Sequence, residues 1–156
     1  MKTLFVYCSD DDAINALCNE SALRKRDTKA FCLSCGSSKL HLNRYFSAAR
    51  AHKSFCYSGY DIDIAQYDKI ILACDEYLGE IPAEIVAFIE KNDLRYKHIE
   101  CIVFGDGRGV KRALDSLKVH ISLAGGTARS AVSVSAREIK REDEDILFSV
   151  RHRLVV

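Results

Sequence analysis

Short apolar runs alternate with amphipathic segments along this 156-residue chain, and this alternation constrains the fold more than any other feature. Runs that are short and nearly uninterrupted are typical of strands buried on both faces of a parallel sheet. Runs of this kind predict strands at Thr3–Cys8 and at residues 29–33, 69–73, 101–104 and 119–123. The pattern predicts an α/β fold in which a five-stranded parallel sheet lies between two layers of helices.

The segments between and after these runs carry apolar residues at helical spacing. Helices are predicted at residues 13–26, at 39–53, from Pro82 onward, at 109–117 and at 142–153. Pro82 suits a first helical turn because its missing N–H is not needed there. No repeat or flexible linker divides the chain, so residues 1–156 are predicted to form one domain.

The charge and hydropathy patterns limit the possible function classes. With 23 basic and 22 acidic side chains the net charge is +1, so no bulk field favours nucleic acid. No apolar run approaches the roughly 20 residues that span a bilayer. The apolar N-terminal run meets an acidic segment too early for a signal peptide. We therefore expect a cytoplasmic protein that binds neither nucleic acid nor membranes.

The seven cysteines are an odd number in a chain without an export signal, so a disulfide framework is not expected. Cys8, Cys74 and Cys101 lie in or beside apolar runs, where a thiol packs as a small hydrophobe. Cys32 and Cys35 form a C-x-x-C pair, for which a redox or metal function stays open. No second pair or close histidine pair completes a zinc site.

The middle of the chain resembles a short flavodoxin. Tyr67-Asp68 precedes an apolar run that leads into Tyr77, Gly79 and the Ile81-Pro82 pair, which is the order found in that family. The similarity continues at residues 83–88, 93–94, 101–104 and 105–109. The resemblance implies a doubly wound flavodoxin-like sheet of strand order 2-1-3-4-5. It also implies FMN as the cofactor of an electron-transfer protein with an unknown redox or protein partner.

In such a sheet a ligand lies at the carboxyl ends of the strands, near the switch between the first and third strands. Three predicted loops meet there, at residues 9–12, 74–80 and 105–109. The resemblance implies that the second loop stacks an aromatic on the flavin ring and that the third binds its other side. The candidate cofactor-binding residues are Ser9, Tyr77, Leu78, Gly79, Gly105, Asp106, Gly107 and Arg108. The alternative is that the tyrosine only covers the sheet edge and the glycines only form a turn.

The first loop departs from the family pattern. Flavodoxins hold the FMN phosphate in a loop of Ser, Thr and Gly at the start of the first helix, where backbone N–H groups bind the anion. In this chain Ser9 is followed by Asp10, Asp11 and Asp12. Like charges 4–6 Å apart repel by about 3–4 kcal/mol per pair at an intermediate dielectric. Aspartates can also cap the helix themselves and take the N–H groups that phosphate needs.

Two main functions stay open on these grounds. One is an FMN-binding electron carrier, and the other is a flavodoxin-like module that has lost FMN and acts as a binding or regulatory partner. Residues 10–12 could instead hold a hard cation such as Mg²⁺. A receiver domain is a weaker alternative, because no lysine closes the predicted fifth strand at 119–123. The sequence carries no recognisable catalytic constellation, so whether the protein is an enzyme stays open.

Overall fold

The computed structural model describes residues 1–9, 11–33 and 62–135. Its elements, in chain order, are β1 (Thr3–Cys8), α1 (Asp12–Leu23), β2 (Thr28–Cys32), β3 (Lys69–Asp75), α2 (Ala83–Lys91), β4 (His98–Phe104), α3 (Gly109–Leu123) and β5 (Thr127–Val134). A 3₁₀ turn at Ile64–Gln66 precedes β3. The predicted helices at 39–53 and 142–153 lie outside the described residues.

The strands form one parallel sheet in the order β2-β1-β3-β4-β5, which confirms the predicted doubly wound α/β fold. The register pairs Cys8 with Cys74, Asp75 with Phe104, and Phe104 with Val134. The carboxyl ends of β1, β3, β4 and β5 therefore lie side by side. We call this row of strand ends and the loops that follow them the carboxyl edge.

Alternating residues of the strands fill two cores, one on each face of the sheet. Helix α1 covers the face that contains Phe5 and Ile71, and it contributes Leu17 and Cys18 to that core. Helices α2 and α3 cover the other face, where Leu72 lies fully buried. Burial of one large aliphatic or aromatic side chain contributes about 1.5–3 kcal/mol, so these two cores supply most of the stabilisation of the sheet.

The predicted fifth strand is wrong. Residues 119–123 lie in the last turns of α3, which continues to Leu123 instead of ending at 117. The buried residues of α3 are Val110, Ala113, Leu117 and Ile121, which follow one another at helical spacing. Within 119–123, Val119 and Leu123 are 57% and 80% exposed, as expected on the outer face of a helix.

The actual fifth strand begins after Gly125, whose φ of +82° ends α3 in the left-handed conformation that glycine adopts easily. Strand β5 lies at one end of the strand order and is largely exposed, so its sequence alternates small, hydroxyl and apolar residues instead of forming an apolar run. Residues 119–123 therefore provide no evidence against a receiver domain, because they are not the fifth strand. Val134 and Ser135 stand at the end of this strand.

The other helix and strand bounds differ from the prediction by a few residues. Pro82 is the residue that precedes α2, with an extended backbone, and is not in the first turn of the helix. Cys8, Cys74 and Cys101 are fully buried, as their apolar surroundings predict. No helix among the described residues is long and apolar enough to cross a membrane.

Candidate functional site

Ser9 directly follows β1 and is only 6% exposed. Its hydroxyl donates a 2.5 Å hydrogen bond to Oδ2 of Asp75 and accepts one of 2.9 Å from the backbone N–H of Asp11. The side-chain amide of Asn15 donates to the Ser9 carbonyl at 3.0 Å. The hydroxyl that the resemblance assigned to a phosphate is therefore already hydrogen-bonded to groups of the protein itself.

Asp11 caps helix α1. Its Oδ1 accepts the backbone N–H of Ala13 at 2.9 Å, and its backbone is extended, as is typical of a residue that caps a helix. Asp12 places a second carboxylate in the first turn, where the helix dipole favours negative charge. The positive end of α1 thus interacts with carboxylates of its own chain. Asp10, the remaining aspartate of the loop, lies outside the described residues.

The loop after β3 forms a tight hairpin at residues 77–80. Tyr77 and Glu80 exchange two backbone hydrogen bonds of 3.1 and 3.0 Å. Between them Leu78 and Gly79 have φ angles of +52° and +84°, and two successive positive φ angles are typical of a type I′ turn. Leu78 adopts this left-handed conformation at a cost of about 1–2 kcal/mol. The hairpin leaves Tyr77 42% exposed and Leu78 67% exposed at the carboxyl edge.

Glu76 connects this hairpin to the loop at residues 105–108, which we call the glycine-rich loop. Its Oε2 accepts the backbone N–H of Gly79 at 2.8 Å, and its own N–H donates to the carbonyl of Phe104 at 3.2 Å. A Cβ atom on Gly105 would lie 2.7 Å from Cγ of Glu76, and one on Gly109 would meet Oε2 of Glu76. A side chain at either glycine would therefore require the Glu76 side chain to move, and one at Gly109 would also approach the backbone N of Gly79 to 2.7 Å.

Arg112 approaches the hairpin from α3. A Cβ atom on Gly79 would lie 2.8 Å from Cδ of Arg112, and the guanidinium contacts Oε1 of Glu80 at 2.5 Å. The sequence offers no local signal for Arg112, because only the docking of α3 against the hairpin brings it there. Glu76 could have been noticed, since it lies within the motif that carries the family resemblance.

The glycine-rich loop is more open at its centre. The Asp106 carboxylate accepts a short hydrogen bond from the hydroxyl of Ser135, which follows β5. Gly107 has a φ of +130° and open space around it. Arg108 precedes α3 and is exposed, and its side chain makes no capping hydrogen bond with the described residues. The structure thus brings all eight candidate residues to the carboxyl edge, but Ser9, Gly79 and Gly105 lie under other side chains.

Carboxylates outnumber cations at this edge. Within the part of the chain that the structure describes, they belong to Asp11, Asp12, Asp75, Glu76, Glu80 and Asp106. The cations of the same loops and helix starts belong to Arg108, Lys111 and Arg112. Among the described residues this excess of carboxylates disfavours an anionic ligand and favours a cationic one.

The described residues do not fit FMN. The Ser9 hydroxyl donates to a carboxylate, and the Ala13 N–H donates to another. Of the glycines expected to approach the flavin ring, Gly79 and Gly105 are covered by Arg112 and Glu76, and Gly107 has open space around it. Tyr77 alone among the ring-binding candidates keeps an exposed aromatic surface and a position suited to stacking.

The metal and thiol alternatives gain no support. Among the described residues no three His, Cys, Asp or Glu side chains are grouped closely enough to hold a metal ion. Burial, assisted by the charge of Asp75, raises the pKa of the Cys18 thiol above its ordinary value, so its reactive thiolate is disfavoured. Cys32 is partly exposed, and Cys35 lies outside the described residues.

Comparison with known proteins finds similarity in structure only. No protein-family model and no curated protein matches the chain. The flavodoxin of Streptococcus pneumoniae TIGR4 superposes with a TM-score of 0.59 and 19% identity, over 99% of this chain and 97% of that one. A flavoprotein from Lactobacillus acidophilus NCFM, in complex with FMN, gives 0.63 and 14%, over 90% and 97%. A Bacteroides uniformis protein provisionally described as a flavoprotein gives 0.69 and 18%, over 96% and 97%.

Proposed function

We propose that this chain, which has the flavodoxin-like fold, is a binding module that does not hold FMN and instead engages a protein partner at its carboxyl edge. The observation that carries the proposal is the pairing of Ser9 with Asp75, together with the Asp11 cap on α1. Both groups occupy the place where the resemblance requires a phosphate.

A bound phosphate would have to displace a hydrogen bond that the protein already makes. A hydroxyl that donates to a carboxylate at 2.5 Å makes a short, charge-assisted hydrogen bond. A phosphate that recruited the Ser9 hydroxyl would deprive Asp75 of that donor and add further negative charge beside it. Loss of a hydrogen bond to a charged group costs about 1.5–3 kcal/mol, before the repulsion between the anions is counted.

The exposed hairpin residues favour a protein as the partner. Tyr77 and Leu78 present apolar surface at the tip of a rigid turn, and tyrosine is enriched among the residues that dominate protein interfaces. Leu78 remains in a strained conformation although its side chain is mostly exposed, so it contributes little to the core. The surrounding carboxylates favour a partner that carries Lys or Arg side chains around an apolar depression.

A second candidate, the FMN-binding electron carrier, is favoured by Tyr77. An exposed aromatic at the carboxyl end of β3 suits stacking on a flavin, and one structural neighbour was solved in complex with FMN. In that case the flavin would supply the redox chemistry, while Tyr77 and the glycine-rich loop would hold its ring. The absorbance spectrum of the freshly purified chain separates the candidates, because flavin bands indicate the carrier and a colourless protein indicates the module.

The partner can be sought by site-specific photo-crosslinking in the cells that make the protein. A photoreactive residue in place of Tyr77 is expected to give one discrete protein adduct, with Lys and Arg enriched in the contacted peptide. Tyr96 provides a matched control, since it is 98% exposed and lies before β4 at the opposite edge of the sheet. Equal labelling from positions 77 and 96, or none from either, would contradict the proposal.

A further inference from the structure

We infer that Glu76 closes the cleft between the 77–80 hairpin and the glycine-rich loop, and that it blocks a planar ligand independently of the Asp11 cap. The inference rests on the proposed function and deepens it. It explains why the 77–80 hairpin and the glycine-rich loop, which carry residues of the family resemblance, would also reject a flavin. It makes Glu76 a residue that determines which ligands the edge accepts.

The contacts of Glu76 fill the space between the two loops. One carboxylate oxygen accepts the Gly79 N–H at 2.8 Å, which fixes the far side of the hairpin. The methylene groups and carboxylate lie directly on the Cα atoms of Gly105 and Gly109, since added Cβ atoms there would overlap them. The Glu76 side chain thus occupies the surface that the backbone of Gly105 and Gly109 would otherwise offer to a ligand, whereas Gly79 is covered by Arg112.

The position of the carboxylate is also electrostatically favourable. Gly109 is the first residue of α3, and the helix receives no capping hydrogen bond from the side chain of Arg108. A carboxylate beside the first turn interacts favourably with the helix dipole. A ligand that displaced Glu76 would therefore have to replace both this interaction and the hydrogen bond to Gly79.

The Ser9–Asp75 hydrogen bond and the Glu76 side chain lie on different sides of the sheet. Asp75 is near Cys18 of α1, whose pKa it helps to raise, so the Ser9 pair belongs to the α1 side. Glu76 follows Asp75 in the chain and packs against residues at the start of α3, on the other side. Removal of one arrangement therefore leaves the other in place.

The test uses two ligands that share the isoalloxazine ring. Lumiflavin carries the ring alone, and FMN carries the ring, a ribityl chain and a phosphate. The full chain is titrated with each ligand as the parent, as Glu76→Ala, as the phosphate-loop variant that combines Asp11→Thr, Asp12→Gly and Asp75→Ala, and as all four changes combined. Glu80→Ala is the matched control, because it removes a carboxylate from the same hairpin without uncovering Gly105 or Gly109.

We expect Glu76→Ala to bind lumiflavin at least tenfold more tightly than the parent and Glu80→Ala, as measured by quenching of flavin fluorescence. FMN is expected to bind only when the phosphate-loop changes accompany Glu76→Ala. If Glu76→Ala binds lumiflavin no better than the parent, or if the phosphate-loop changes alone confer FMN binding, the inference about Glu76 is wrong. Binding of FMN by the parent would instead refute the proposed function itself.

A second measurement needs only the folded parent and a conservative variant. In the amide NMR spectrum of the full chain, Glu76→Gln should shift the Gly79 resonance more than that of Gly125, a positive-φ glycine that closes α3 away from the cleft. An unchanged Gly79 resonance would show that the carboxylate is not bound there, and would overturn the inference whatever the titrations give.

Discussion

The Ser9 hydroxyl donates a 2.5 Å hydrogen bond to the Asp75 carboxylate and so joins the ends of β1 and β3, which are neighbours in the sheet. This is the point at which the direction of the chain across the sheet reverses, where α/β proteins of this topology place their ligands. In this chain the polar groups of that point hydrogen-bond to one another, which is the basis for the proposal of a module without FMN.

Replacement of Ser9 by Ala should destabilise the protein by about 1.5–3 kcal/mol, because the Asp75 carboxylate loses a hydroxyl donor in a partly buried place. The free energy of unfolding can be measured by urea denaturation. Ser133→Ala is the control, since that serine is exposed on β5. Equal stability of the two variants would show that the Ser9–Asp75 hydrogen bond does not hold the strand ends together.

Replacement of Leu78 by Gly should leave the stability unchanged or raise it by up to about 1 kcal/mol, because glycine adopts a positive φ without steric cost. The same change at Val119, which is comparably exposed but lies within α3, should lower stability by roughly 0.5 kcal/mol. Urea denaturation compares the two. A clear loss of stability in Leu78→Gly would mean that the side chain packs against the protein and is not kept for a partner.

The fold was largely predictable because its signals are local. Strands β1 and β3 lie in the centre of the sheet, and their uninterrupted apolar runs identified them within two residues at each end. Strand β5 was missed for a physical reason. At the edge of the sheet it carries exposed hydroxyl residues, whereas the apolar residues at 119–123 belong to a helix whose outer face is unusually apolar.

The site was predictable only in part. Ser9, Tyr77 and the glycines were correctly placed at one edge, because the carboxyl ends of parallel strands must lie together. The role of the glycines was not predictable, since a glycine accommodates a close approach by a ligand or by a side chain equally well. Only the structure shows that Glu76 and Arg112 make that approach.

Substitution of Gly105 by Ala should lower the free energy of unfolding of the parent by about 1–3 kcal/mol, because the added methyl group overpacks a region that is already closely packed. Two of the three closest atoms to the new methyl group belong to Glu76, so the cost should fall when Glu76→Ala is also present. A double-mutant cycle based on urea denaturation measures this coupling. Additive effects of the two substitutions would contradict the packing of Glu76 on Gly105.

Alkaline pH should destabilise the protein through its buried thiols. Burial raises the pKa of Cys101 to about 12, whereas the thiol of an unfolded chain ionises near pH ~8.5. The contribution of this thiol to stability is therefore fully present below about pH 8.5. It is lost as the pH rises toward 12, because in that range the unfolded chain releases the proton and the folded chain keeps it. The slope of the unfolding free energy against pH should be shallower in Cys101→Ala, whereas Val103→Ala, a buried position on the same strand without a titratable group, should retain the parental slope. Identical slopes in all three proteins would contradict this explanation.

A fluorescence titration of the parent chain with FMN tests most directly whether the carboxyl edge accepts this cofactor. We expect no saturable quenching up to hundreds of micromolar FMN, at low as well as at high salt, because the groups that a phosphate would need are hydrogen-bonded within the protein. Stoichiometric quenching with a dissociation constant in the micromolar range or below would contradict the account and establish the chain as an FMN-binding protein.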